Sequence, residues 1–395
     1  MDQHQLIQEL EDELEQILQY WIMHMPDLAQ RGFYGRIDEQ NIPDKKAPKG
    51  SVLNARILWT FSAACNYNPR AEYRAIADRA FEYIINCFVD KEFGGVYWSV
   101  DHKGNPLDTK NQVYALAFVI YACSEYYLCS KSESAKKLAI QLYYLIQQYS
   151  FDKERGGYFE AFTREWTSLN DLRLSEKDAN EKKTMNTHLH VLEAYTNLYR
   201  IWPKQELAHH IQLLLRVFDE HIINRETHHL DLFFDENWQR KSDTISFGHD
   251  IEAAWLLSEA AKEIQDNDMI EKMKQNALLL AQSVTDGLDS DGGLWYEYEP
   301  QHKKLIKEKH WWPQAEALVG FFHAWQLSGS DQYREHVDKN WQFIKRYIKD
   351  NTNGEWFWGV DENHQVMPGQ DKAGFWKCPY HNSRACLEIV KRLRQ

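Results

Sequence analysis

"DKEFGGVYWSVD", residues 90–101, sets Gly94 and Gly95 side by side, behind acidic residues and ahead of a run of aromatics. Related phrases recur as "DKERGGYFEAF" from Asp152, "DSDGGLWYEYEP" from Asp289 and "NTNGEWFWGVDENH" from Asn351. Gly94 and Gly156 are 62 residues apart, as are Gly292 and Gly354. The 136 residues from Gly156 to Gly292 leave room for one interval of 62 and one of 74. The slot near residue 230 holds "THHLDLFFDENW" (227–238), and one step back from Gly94 falls "QRGFYGRIDEQ" (30–40). Six copies at a near-regular interval are the mark of a repeat architecture. Each phrase reads as a tight hairpin, because glycine supplies positive φ at a turn and alternating aromatic and polar residues suit short two-faced strands.

Two kinds of helix lie between the phrases. "EYRAIADRAFEYIINCFV" (72–89) puts Ile76, Ala77, Ala80, Phe81, Ile84, Ile85 and Phe88 on one stripe with charges opposite, which is a helix with one wet face. "NQVYALAFVIYACSEYYL" (111–128) is apolar nearly all round and reads as a helix buried on most sides. Its tyrosines, Glu125 and its place in the repeat argue against a membrane span. The unit is therefore hairpin, inner helix, outer helix. A helix pair cannot bury both its faces alone, so the units must stack. Six that close on themselves make an all-α (α/α)6 barrel, with hairpins and loops rimming one end; an open solenoid is the alternative. No Pro-, Gly- or Ser-rich linker interrupts the 395 residues, so one catalytic domain over 1–395 is expected.

A net charge of −13, with no run of Lys or Arg beyond pairs, disfavours nucleic acid and anionic membranes as partners. The N-terminal "MDQHQLIQELEDELEQIL" is an acidic amphipathic helix, unlike a signal or transit peptide. The six cysteines show no CxxC and fall on helices, as expected of reduced thiols in a cytoplasmic protein. A monomer is the expectation. Fifteen tryptophans and 21 tyrosines suit a sugar binder, whose flat rings stack on pyranose faces, as well as a packed core.

Polar or aromatic residues open each inner helix at a similar distance beyond its phrase: Arg56, Tyr114, Asn186, His249, Trp312 and His381, 19 to 30 residues on. In a closed barrel these helix starts converge on one mouth. Helical spacing puts Asn186 with His190 on one face, His249 with Glu252, and Trp312 with Glu316, while His188 and Asp250 face away. The adjacent pairs His209–His210 and His228–His229 diverge on a helix and read as surface. The inward set holds three histidines, each on a separate helix and with no HExxH. No metal is expected, and with no GxGxxG after a strand and no P-loop, no cofactor. Glu252, Glu316 and Asp178 could serve a glycosidase, but the histidines would then be surplus. Imidazole suits moving a proton on and off carbon near neutral pH. Removing a proton α to a carbonyl needs a base, an acid on the other face and donors for the enolate oxygen. Three histidines and Arg56 supply that list.

At this point "NARILWTFS", "SEKDANEKKTMNTHLHVLEAY", "GHDIEAAWLL", "WWPQAEALVGFF" and "KCPYHNSRACLE" resemble the N-acylglucosamine 2-epimerase superfamily along the whole chain, and specifically its disaccharide branch, the cellobiose 2-epimerases. The resemblance implies cofactor-independent epimerisation at C2 of the reducing-end sugar of a β-1,4-linked disaccharide such as cellobiose, mannobiose or lactose. It implies that His249 and His381 are the acid/base pair and that His190 assists at the carbonyl and enolate oxygen. Arg56, Tyr114, Asp178, Asn186 and Glu252 would bind and orient the sugar. Trp312 and Trp376 would be its platforms, with Trp311 competing for the first. Monosaccharide epimerisation or isomerisation, glycoside hydrolysis and non-catalytic sugar binding are the alternatives. The extra dozen residues of the 74-residue interval fall in "WTSLNDLRLSEKDANEKK" (166–183), which contains Asp178 and reads as a functional loop at the mouth.

Overall fold

The computed structural model describes residues 2–395. Twelve helices alternate between an outer and an inner layer. The inner ones are α2 (Ser51–Tyr67), α4 (Val113–Ser130), α6 (Met185–Ile201), α8 (Phe247–Glu263), α10 (Trp311–Ser328) and α12 (Tyr380–Arg394). The outer ones are α1 (Gln3–His24), α3 (Ala71–Tyr83), α5 (Glu133–Leu145), α7 (Gln205–Val217), α9 (Asn267–Val284) and α11 (Asp331–Phe343). Each inner helix packs on the next, and α12 returns to α2, so the ring closes and the open solenoid is excluded. Helix α4, long and apolar enough by composition to cross a membrane, is mostly buried as a barrel stave. The outer helices bury one stripe each; in α3 this is Tyr73, Ile76, Ala77, Ala80 and Phe81.

The chain ends on an inner helix, so the sixth unit takes its outer helix from the opposite terminus. Helix α1 packs against α12. Its acidic residues receive indoles of the last two units: Trp341 Nε1 of α11 donates to Glu9 (2.7 Å) and Trp356 Nε1 of the last hairpin to Glu13 (2.7 Å). The charge pattern of that helix is thus partly a closure device.

Short loops join inner to outer helices at one end. At the other, a hairpin leads from each outer helix to the next inner one. Four outer helices finish in a π-type turn, Ile84–Phe88 after α3 being the first. The turn then folds back, with Asp90 N–H donating to Gly95 O (3.2 Å) and Asp152 N–H to Gly157 O (2.9 Å). The leading Asp of a phrase caps its own turn, as Asp152 does for Glu154 N–H (3.0 Å), and holds a buried lysine from the next strand. These pairs are Lys49–Asp27, Lys183–Asp152 and Lys372–Asp350 at 2.8–2.9 Å. Strand fragments then tie neighbours together. Lys49–Gly50 pairs with Ser99–Val100, Asn111–Gln112 with Ala161–Phe162, and so on round to a bridge between Ile37 and Ala373.

These hairpins answer why the glycines recur. A Cβ on Gly95 would lie 2.1 Å from Asn111 Oδ1, and one on Gly157 2.6 Å from His188 Nε2. The backbone comes that close because it docks on a polar side chain of the neighbouring stave. Tyr158 N–H donates to His188 Nε2 (2.8 Å), Leu230 N–H to Asp250 Oδ1 (2.8 Å) and Leu294 N–H to Gln314 Oε1 (2.8 Å). His188 and Asp250 do face away from the axis, and this is their use. The glycine turns therefore back the staves, while the segments between turn and inner helix wall the cavity. The reading of both histidine pairs as surface is corrected in part. His229 is buried with Nδ1 2.8 Å from Asp250, and half-buried His210 meets the Tyr143 hydroxyl at 2.8 Å. His229 sits in a hairpin, not on a helix, so helical divergence did not apply to it.

Candidate active site

The inner helices all point their N-termini toward the hairpin end, where a cavity of about 770 Å³ opens. Arg56, Tyr114, Asn186, His190, His249, Glu252, Trp311, Trp312, Trp376 and His381 all line it, as does Asp178. The long loop supplies much of one wall, from Leu172 to Ala179. It is anchored from below, where Gln112 Nε2 donates to Leu172 O (3.0 Å) and Arg173 O (2.9 Å).

Helix register sorts these residues into layers. His249 is the third residue of α8 and His381 the second of α12, both in the first turn. One turn deeper, Arg56, Phe118, His190, Glu252 and Glu316 are each the sixth residue of their helix, and Arg384 is the fifth of α12. The three histidines thus do not share one phase, as their spacing from the hairpins implied. His249 and His381 match, and His190 belongs to the layer below. Hairpin-to-helix segments differ in length, so counting from the glycines blurred one helical turn.

The deeper layer is an ionic floor. Arg384 is buried and donates through Nη2 to Glu252 (2.6 Å) and Glu316 (2.6 Å), and through Nη1 to Glu193 and the Tyr380 hydroxyl. Glu316 Oε1 also meets His381 Nδ1 (2.7 Å), and Glu193 Oε2 meets His190 Nδ1 (2.9 Å). Burial works to neutralise both carboxylates, but Arg384 and the histidine contacts outweigh it, holding Glu193 low and Glu316 at about 2. An ionised carboxylate only accepts, so each imidazole carries its proton on Nδ1 and turns a bare Nε2 to the cavity. Burial keeps the rings neutral, with His249 and His381 both down at about 3. Glu252 is pushed the other way, up to about 8, by burial and by the charge of Glu316. The shift favours its neutral form, which can donate to a ligand. Glu252, Glu316 and His381 could between them offer three metal-ligand atoms within 4.8 Å of one another. The cation seated between the two carboxylates is the guanidinium of Arg384.

Arg56 is buried, with Nη2 donating to the Tyr114 hydroxyl (2.9 Å) and its plane 4.3 Å from the Phe118 ring. Asn186 Oδ1 is buried without a partner among the described residues, an atom that a ligand donor would satisfy. Trp312 is half-buried, with its ring 4.7 Å from His249 and 5.7 Å from His381. Trp311 is 3% exposed and packs on Trp358, so of the two Trp312 is the better placed to meet a ligand. Trp376 faces the cavity but also packs on Trp98 and Phe375. Asp178 accepts from Ser175 N–H (2.8 Å) and its hydroxyl (2.9 Å), which shapes the loop. Sequence reasoning left Glu193, Tyr380 and Arg384 without roles and kept Glu316 only as a glycosidase candidate. For Glu316 the available signal was a charged residue at the sixth position of an otherwise apolar stave, the position Glu252 holds on α8; Glu193, Tyr380 and Arg384 gave none.

Residues 32–385 match the N-acylglucosamine 2-epimerase (GlcNAc 2-epimerase) family. A cellobiose 2-epimerase from Bacteroides fragilis is 47% identical over 386 residues, 98% of each chain, and one from Dictyoglomus turgidum is 39% identical over 95% of this chain and 96% of its own. The structure of cellobiose 2-epimerase from Bacillus thermoamylovorans superposes with a TM-score of 0.94 at 38% identity, covering 98% of this chain and all of that one. The chain belongs to the N-acylglucosamine 2-epimerase family of sugar-isomerising enzymes, and within it is similar along nearly its whole length to the cellobiose 2-epimerases.

Proposed function

We propose that the protein epimerises β-1,4-linked disaccharides such as cellobiose at C2 of the reducing-end ring; its relatives are named cellobiose 2-epimerases. The observation that carries this reading is the set of three neutral imidazoles around one cavity, two of them held by ionised carboxylates. The reducing-end ring opens to its aldehyde, with His190 moving the proton between the ring oxygen and O1. One of His249 and His381 takes the C2 proton as a neutral base, leaving an enediolate. Arg56 and the Tyr114 hydroxyl offer donors to its oxygen, which lowers the cost of that charge in a buried site. The other histidine takes up a proton from solvent in the cavity and delivers it to the opposite face, and ring closure gives the 2-epimer. Trp312 and Trp376 stack on the sugar rings, and Asn186, Glu252 and Asp178 bind hydroxyls. The one domain suffices, with no cofactor required.

Hydrolysis would need two free carboxyl groups flanking the glycosidic bond. Glu252 and Glu316 instead share one nitrogen of Arg384. Incubation with cellobiose in heavy water, followed by NMR, tests the proposal. Glucosyl-mannose carrying deuterium at C2 is expected. Free glucose, or an unchanged substrate, would refute it.

A further inference from the structure

His190 and His381 each have a carboxylate behind Nδ1. His249 has instead the hydroxyl of Ser246, 2.8 Å away. Ser246 is the N-cap residue of α8, where a serine ordinarily accepts from a backbone amide of the first turn. It makes no such bond. The repeat supplies an internal comparison. Thr184 stands at the same place before α6, four residues ahead of His188 as Ser246 is ahead of Asp250, and both of those residues receive a hairpin amide. Thr184 Oγ1 does cap, accepting from Thr187 N–H (3.2 Å), and Thr187 occupies the position of His249. One hydroxyl position in two equivalent units therefore has two uses. In α8 the helix forgoes its cap, and the hydroxyl, itself fully buried, is turned onto an imidazole.

From this we infer that Ser246 is the positioning residue of His249, holding the ring by Nδ1 so that Nε2 meets the substrate carbon. The inference rests on the reading of His249 as a proton-transfer group. When Nε2 takes the C2 proton, the imidazolium donates Nδ1–H to Ser246 Oγ. When Nε2 gives the proton back, that bond persists, and the serine neither gains nor loses a proton. Without the hydroxyl, Nδ1–H is a buried donor with no partner. That cost falls on the imidazolium, whose Nδ1 must carry a proton, so taking the C2 proton becomes harder. The ring also packs against Trp312, with centroids 4.7 Å apart. A hydroxyl also differs from a carboxylate in leaving the imidazolium without a counter-charge. The two histidines of the pair are thus not equivalent in what stands behind Nδ1.

The test compares Ser246→Ala, Ser246→Thr and His249→Ala with wild type on cellobiose, with thermal midpoints as folding controls. Ser246→Ala should lower kcat by roughly ten- to a hundredfold, the scale for a residue that orients another, with KM unchanged, and Ser246→Thr should restore most of it. Should Ser246→Ala not fold, Ser246→Gly, which N-cap positions tolerate, takes its place. Wild-type kcat in the hydroxyl-less variant beside an inactive His249→Ala overturns the inference alone. So does a loss that threonine does not rescue, or one that appears in KM. Full activity in His249→Ala removes both the inference and the role of His249 on which it rests.

Discussion

Replacing Arg384 by methionine removes the one cation that touches Glu193, Glu252 and Glu316 together. Glu193 and Glu316 are held below the usual carboxylate range and Glu252 above it, so the variant leaves at least two buried anions, Glu193 and Glu316, without their cation. Breaking a buried pair from one side costs about 3–5 kcal/mol, because the remaining charge stays desolvated. At about 2.1 cal/mol/K of unfolding entropy per residue, 395 residues make each kcal/mol worth about 1.2 °C, so the midpoint should fall by about 4–6 °C at pH 8. The deficit should depend on pH in a definite direction. Without the guanidinium, burial raises both carboxyls above their unfolded value near about 4.3. A group raised in the folded state lends stability below its unfolded pKa and loses it as pH rises through the folded one. The difference between variant and wild type should therefore be small near pH 4.5 and full at pH 8, while all unrelated titrations cancel. Thermal melts of both proteins across that range are the assay. A midpoint within 1 °C of wild type at pH 8, or a deficit that does not change with pH, would refute the view of Arg384 as the counter-charge of the floor.

Other outcomes follow from the same site. His249→Ala and His381→Ala should each lower kcat by roughly 10²–10⁴-fold with substrate still bound, read by steady-state kinetics and a binding isotherm. The neutral histidines set the acid side of the rate profile: their pKa values lie below the ordinary 6.5, so kcat should persist on acidification past that value. Trp376→Ala should raise KM with a nearly unchanged midpoint; a large fall in midpoint at constant KM would make it a core residue. Extended EDTA treatment should leave activity intact, because a guanidinium holds the place between Glu252 and Glu316. Loss on chelation and recovery with zinc or manganese would show otherwise.

The architecture was legible because glycine spacing and helix periodicity are local signals. The hairpins need glycine for close approach, and the staves are apolar on all sides. The barrel, the long loop and the residues converging on the cavity all follow from these. What sequence did not yield depends on contacts between distant segments. That α1 is the sixth outer helix is visible only once the ring closes, when Glu9 and Glu13 meet Trp341 and Trp356. Arg384 stands three residues beyond His381 and passed unremarked, because one arginine on a helix is ordinarily exposed. Only the packing shows it balancing carboxylates from α6, α8 and α10.

The repeat itself explains how a near-symmetric barrel comes to do an asymmetric task. At the sixth position, or the fifth of α12, the staves carry Arg56, Phe118, His190, Glu252, Glu316 and Arg384, a layer that tolerates burial because Arg384 bridges its two acidic residues. At the third position they carry Leu53, Ala115, Thr187, His249 and Pro313, with His381 in register on α12. Four of the six are inert toward proton transfer, and the two imidazoles stand on the staves either side of α10. Trp312 of α10 lies between them, in contact with both rings. A sugar stacked on that indole would present C2 to one histidine on each side, which inversion at carbon requires. The floor beneath makes the two imidazoles unequal, with the ionised Glu316 behind His381 and only a hydroxyl behind His249, so six copies of one helix start have diverged at the two positions that flank Trp312.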